Sequence, residues 1–126
     1  MATILVIDDE RALRESIARY LRRLGHEVLE APDGRTGLGT IAASAVDLVI
    51  TDLRMPEMDG IELIQALRRA GFRAPVIAMS GGGLYPHEVL LDNAKLLGAM
   101  STLGKPFELD QLRQSVEQAL GGEPKA

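Results

Sequence analysis

The chain has 126 residues, 46% hydrophobic and 25% charged, with 14 Lys and Arg against 18 Asp and Glu, giving a formal charge of −4. Such a chain predicts one globular domain with its own core, which argues against disorder, a coiled coil and a basic nucleic-acid surface. The absence of cysteine removes disulfide scaffolds, thiolate metal sites, iron–sulfur clusters and thiol nucleophiles.

No apolar run approaches the roughly 18 residues of a membrane span. Met1-Ala2-Thr3 passes directly into Ile4-Leu5-Val6-Ile7 without a basic region or a cleavage site, so the expectation is a cytoplasmic protein that engages no membrane. The stretch RALRESIARYLRRL is arginine-rich only locally, and no direct nucleic-acid contact is expected. His26 and His87 are far apart, without the spacing of a metal site.

In chain order, 4–7 reads as a fully buried strand because it is a short unbroken apolar run. A helix follows over 10–24, where Leu13, Ile17, Leu21 and Leu24 recur at helical spacing and Gly25 closes the end. The same alternation predicts strands at 26–30, 47–51, 75–79 and 99–103, separated by helices at 34–44, 60–70, 85–97 and 108–120. Pro75 is tolerable as the first residue of its strand. The second helix is expected to be short or mobile, since Gly37 and Gly39 each cost about 1 kcal/mol relative to alanine. The expectation is a domain over 1–120, a disordered tail at 121–126 and no output domain in this chain.

Five βα units imply a parallel sheet with helices on both faces, and so an α/β three-layer sandwich. All strand C-termini then share one edge, where open α/β sheets bind ligands. Asp8 and Asp9 follow the first strand, Asp52 the third, Ser80 the fourth and Lys105 the fifth. Taken singly, each has a plain explanation: a helix cap, a turn, loop chemistry or a solvated side chain. Taken together, they bring three carboxylates, a hydroxyl and an amine to one edge. Three ionised carboxylates repel strongly unless one protonates or a hard cation joins them, and oxygen-only ligands point to Mg2+.

These residues resemble the receiver domain of two-component response regulators, the family of the bacterial chemotaxis response regulator. The resemblance lies in ILVIDDE, DLRMPEMDG, PVIAMS and GKPF, and covers essentially the whole chain. It implies the flavodoxin-like (βα)5 fold with strand order 2-1-3-4-5. It further implies that Asp52 is the phosphoacceptor, supplied by a sensor histidine kinase, a histidine phosphotransfer protein or a small phosphodonor. Asp9, Asp52 and the backbone carbonyl of Arg54 would hold Mg2+, with Asp8 acting through water. Ser80 and Lys105 would each take a phosphoryl oxygen, and the Lys105–Pro106 peptide would be cis. The protein is then a signalling switch that promotes its own phosphorylation and dephosphorylation, rather than an enzyme acting on other substrates.

Two features depart from the family pattern. Receivers usually carry Tyr or Phe three residues before the lysine, where this chain has Thr102, so the usual aromatic readout is lacking. The stretch after Ser80 is longer than in chemotaxis-type members and opens GGGLYPHEVLL, so a mobile loop is expected over the site. Leu84, Tyr85, Val89, Leu90 and Leu91 exceed the needs of one helix stripe. The expectation is a face formed by the fourth helix and fifth strand that binds a downstream protein or a second copy of the chain. The competing readings are a Mg2+-dependent small-molecule phosphatase or phosphotransferase, and a pseudo-receiver that only binds. The first needs a second acid near the nucleophile, where Arg54 stands, and the second leaves the complete acidic set unexplained.

Overall fold

The computed structural model describes residues 2–55, 58–80 and 101–121. Five parallel strands form one sheet: β1 (Thr3–Ile7), β2 (Glu27–Ala31), β3 (Leu48–Asp52), β4 (Val76–Ser80) and β5 (Ser101–Gly104). Their order is β2-β1-β3-β4-β5. The helices are α1 (Arg11–Arg23), α2 (Gly34–Ala43), α3 (Gly60–Arg69) and a C-terminal helix (Leu109–Ala119). The fourth predicted helix, 85–97, the glycine-led loop before it and the tail from 122 lie outside the described residues.

Alternate residues of each strand feed opposite faces, which is why continuous apolar runs are needed. Ile4, Val6, Leu48, Ile50 and Ile77 pack with Ile17 and Leu21 of α1 and Leu112 and Val116 of the C-terminal helix. Leu5, Ile7, Val49, Val76 and Ala78 pack on the other side with Leu38 of α2 and Leu63, Ile64 and Leu67 of α3. The result is three layers with the sheet in the middle.

Helix ends follow local chemistry. Asp33 caps α2 by accepting from Thr36 N at 2.7 Å. Asp59 and Glu62 form a reciprocal capping box at the start of α3, with bonds of 2.8 and 3.1 Å. Gly25 takes φ +99° after α1, a left-handed position that suits glycine.

The second helix, expected to be short or mobile, forms over ten residues, Gly34–Ala43, close to the predicted 34–44 despite its glycines. Gly37 gives the reason: it is buried, and a Cβ there would press on the Ile7 side chain, so its small size lets α2 approach the sheet. Gly60 has a similar role beneath the site, where a Cβ would meet the Asp52 carbonyl oxygen and lie 2.7 Å from Leu53 Cα. Both neighbours are backbone and cannot swing away. Gly60→Ala is expected to destabilise the protein by about 1–3 kcal/mol, read by urea denaturation, because α3 must shift from the end of β3.

Candidate functional site

The parallel ladder carries β3 and β4 one residue further than their apolar runs suggested, to Asp52 and Ser80. Asp52 pairs with Met79 and Ser80 with Gly104, so both polar residues are the last rungs of buried strands. Their backbones are therefore fixed by the sheet. Asp8 and Asp9 leave β1 beside them, at the point where strand order reverses.

Asp8, Asp9 and Asp52 each offer a carboxylate oxygen, and these oxygens all lie within 4.8 Å of one another. The three differ in surroundings: Asp8 is fully buried, Asp52 is 6% exposed, and Asp9 faces solvent. Lys105 Nζ bridges two of them, at 3.2 Å from Asp8 Oδ2 and 3.0 Å from Asp52 Oδ2. The remaining oxygens of these two acids accept backbone donors. Glu10 N reaches Asp8 Oδ1 at 2.9 Å, and Arg54 N reaches Asp52 Oδ1 at 3.3 Å.

Lys105 is placed by its own backbone, since its N–H donates to Ser80 O at 2.6 Å and continues the β4–β5 ladder. The Lys105–Pro106 peptide is cis. Ser80 Oγ is buried without a hydrogen-bond partner among the described residues. Thr102 sits in β5 opposite Ala78, half-buried and three residues from Lys105. His26, whose Nδ1 accepts from Ala2 N at 3.3 Å, lies at the opposite pole of the sheet, and His87 is outside the described residues.

Burial pushes the Asp8 carboxyl above its ordinary value of 3.8, and the Asp52 charge adds to this against the Glu10 amide and Lys105. Burial alone would lower Lys105, but the Asp52 and Asp8 carboxylates outweigh it and hold the ammonium above 10.5. The two groups act on stability at different pH. A raised Asp8 contributes stability that is present below 3.8 and lost as pH rises through its folded value. A raised Lys105 contributes stability below 10.5 that is lost as pH rises through its own folded value. At neutral pH and without metal, the Asp8 charge is therefore a burden. Asp8→Asn is expected to stabilise the protein at pH 7 in the absence of Mg2+, read by thermal denaturation across pH, with the gain vanishing in acid.

Three clustered oxygens, one of them on a carboxylate that resists ionisation, suit a hard divalent cation held by oxygen alone. Chemically, the arrangement brings a fixed carboxylate, two further acids and an ammonium to one spot.

Sequence reasoning missed Arg14 and Glu30. Arg14 Nη1 donates to Asp8 O at 2.9 Å, while its Nε donates to Glu30 Oε1 at 3.2 Å. The available signal was a charged residue three before the buried Ile17, on the inward side of α1.

A family model described as the response regulator receiver domain matches residues 4–117. Response regulator MprA of Mycolicibacterium vanbaalenii is 39% identical over 109 residues, 86% of this chain and 46% of that protein. The chain thus spans less than half the length of that relative. Sporulation initiation phosphotransferase F of Bacillus subtilis is 29% identical over 117 residues, 93% of this chain and 92% of its own length. The crystal structure of the receiver domain of NtrX from Brucella abortus superimposes with a TM-score of 0.87 at 32% identity, covering 95% of this chain and 99% of that one. Together with the five-stranded order and the acidic edge, the match over 4–117 means that this chain belongs to the response regulator receiver family.

Proposed function

We propose that Asp52 is the phosphoacceptor of this receiver and that the acid cluster binds Mg2+ through Asp9, Asp52 and the Arg54 backbone carbonyl. The carrying observation is Asp52 itself: a nearly buried carboxylate at a strand end, within 4.8 Å of two further acids and 3.0 Å from an ammonium. Asp8 is fully buried while Asp52 is slightly exposed and Asp9 faces solvent, which supports a role for Asp8 through water. When bound, Mg2+ supplies positive charge to the acid cluster and to the transferring phosphoryl oxygens.

In the proposed transfer, an Asp52 carboxylate oxygen attacks phosphorus in line. The bond from phosphorus to the donor's imidazole nitrogen breaks, its electron pair stays with the imidazole, and that ring takes a proton from solvent. Lys105 compensates charge on one phosphoryl oxygen, and positioning supplies most of the remaining acceleration. The donor is a sensor histidine kinase or a histidine phosphotransfer protein. A cleft of about 310 Å³ lined by Leu13, Lys105, Pro106 and Phe107 opens beside Lys105 and gives a partner an apolar foothold.

Phosphorylation would then act as a charge switch. A hydroxyl buried without a partner costs about 1–3 kcal/mol, so Ser80 Oγ has an incentive to meet a phosphoryl oxygen. Moving an equilibrium from 1:99 to 99:1 takes about 5.5 kcal/mol, while one hydrogen bond to a charged group supplies about 1.5–3. Ser80, Lys105 and the metal must therefore act together. The output is a downstream protein, or a second copy of the chain, docking beside β5. Thr102 would report the change without an aromatic.

Incubating the chain with an acyl-phosphate donor and Mg2+, followed by intact mass, tests the reading. One Mg2+-dependent phosphoryl group per chain is expected. Failure of the wild type to be modified by any donor would sink it.

A further inference from the structure

Asp9 is exposed, and no hydrogen bond to its carboxylate is found among the described residues. Its direction is therefore inherited from the backbone before it. The Asp8 carbonyl and the Asp9 N–H belong to one planar peptide unit, so holding the first orients the second.

Asp8 is pinned at four points. Its N–H donates to Ala31 O at 3.1 Å, its Oδ1 accepts from Glu10 N at 2.9 Å, its Oδ2 accepts from Lys105 Nζ at 3.2 Å, and its carbonyl oxygen accepts from Arg14 Nη1 at 2.9 Å. Of these four, the Arg14 bond is the one made to the peptide plane that leads into Asp9.

The Arg14 side chain is only 13% exposed and is braced by Glu30 through the 3.2 Å bond from Nε. Glu30 is held in turn by Arg22, whose Nη2 lies 3.4 Å from Glu30 Oε2 and 2.9 Å from Val28 O. An aliphatic residue would fill the Arg14 position without the cost of desolvating a charge. What an aliphatic residue lacks is a planar fork that grips a carboxylate and a carbonyl at once.

We propose that Arg14 is a positioning residue for the cation site: braced by Glu30, it fixes the Asp8–Asp9 peptide so that Asp9 meets Asp8 and Asp52. This rests on reading the acid cluster as a Mg2+ site. It also ties the edge strand β2 to the chemistry, because Glu30 belongs to that strand. A pair that merely fastens α1 to β2 would behave differently, since its loss would lower stability and leave metal affinity alone.

The test titrates Mg2+ against the melting temperature of the full chain for wild type, Arg14→Met, Arg14→Lys, Glu30→Gln and Arg22→Met. Loss of an outer partner of a metal ligand typically costs 10–100-fold in affinity, so Arg14→Met is expected to raise the half-saturating Mg2+ about tenfold. Arg14→Lys should recover part of that loss, Glu30→Gln should show a smaller rise, and Arg22→Met, which loosens only the outer support of Glu30, should show a rise no larger than that of Glu30→Gln. Phosphorylation of Arg14→Met should return to the wild-type level at saturating Mg2+. An Arg14→Met chain that melts earlier without metal yet keeps the wild-type half-saturation overturns the proposal. Should that variant fail to fold, unchanged half-saturation in both Arg14→Lys and Glu30→Gln overturns it equally. A wild type with no Mg2+ response overturns the metal reading, and the proposal with it.

Discussion

Asp52→Asn is expected to take up no phosphoryl group from an acyl-phosphate donor under conditions in which the wild type is fully modified, as read by intact mass. The amide is nearly the same size, so the last rung of β3 should keep its pairing with Met79. What is lost is the nucleophile: the amide oxygen has no full negative charge to attack phosphorus, and its nitrogen has no free lone pair. Asp8 and Asp9 lie within 4.8 Å but do not substitute. Asp8 is fully buried, whereas Asp52 keeps a small exposed area, and Asp9 stands outside at the solvent face. The loss should therefore be complete. The folded state should survive it, because the substitution removes one of two carboxylates that repel each other around Lys105.

Lys105→Met should slow phosphorylation by about 10²–10³-fold, the usual cost of deleting one donor aimed at developing charge. It should also change stability in a way that identifies the lysine's other partner. Lys105 Nζ lies 3.0 Å from Asp52 and 3.2 Å from Asp8, and its removal leaves two buried carboxylates without their ammonium. Breaking a buried pair from one side costs about 3–5 kcal/mol, and the partial exposure of Lys105 places the expectation near the lower figure. Acid should repair the defect. Asp8 already holds its proton more tightly than usual through burial, and without the opposing ammonium it will hold it more tightly still. As pH falls through that value the protonated acid needs no counter-charge, so the gap to wild type should close. Mg2+ should recover stability, by about 2.7 kcal/mol at a hundred times its dissociation constant, without recovering the transfer rate. Denaturation curves with and without Mg2+, beside a phosphorylation time course, separate the two effects.

Much of this was legible because buried parallel strands are written as unbroken apolar runs, and strand ends in such a fold share an edge. Ile4-Leu5-Val6-Ile7 followed by two acids, and Val49-Ile50-Thr51 followed by one, carry both messages at once. The departures came from contacts between distant segments. A hydrophobic pattern ends where polarity begins, so it stopped β3 and β4 one residue short, although the ladder continues through Asp52 and Ser80. Gly37 was read as a weakness of α2 when considered alone, and only the approach of Ile7 turns it into a fit. The burial of Asp8 depends on Lys105, 97 residues away, and the Arg14 clamp depends on Glu30 in another strand. No local period encodes such pairs. The face over residues 85–97, where sequence reasoning put partner binding, lies outside the described residues.

The most direct measurement locates the phosphoryl group in the wild-type chain. Borohydride reduction of the phosphorylated protein converts an aspartyl phosphate into homoserine, and peptide mapping by tandem mass spectrometry then reads its position. The account predicts homoserine at residue 52, dependent on Mg2+ and on the donor. Homoserine at position 8 or 9, or a stable phosphoryl group on Ser80, would contradict it.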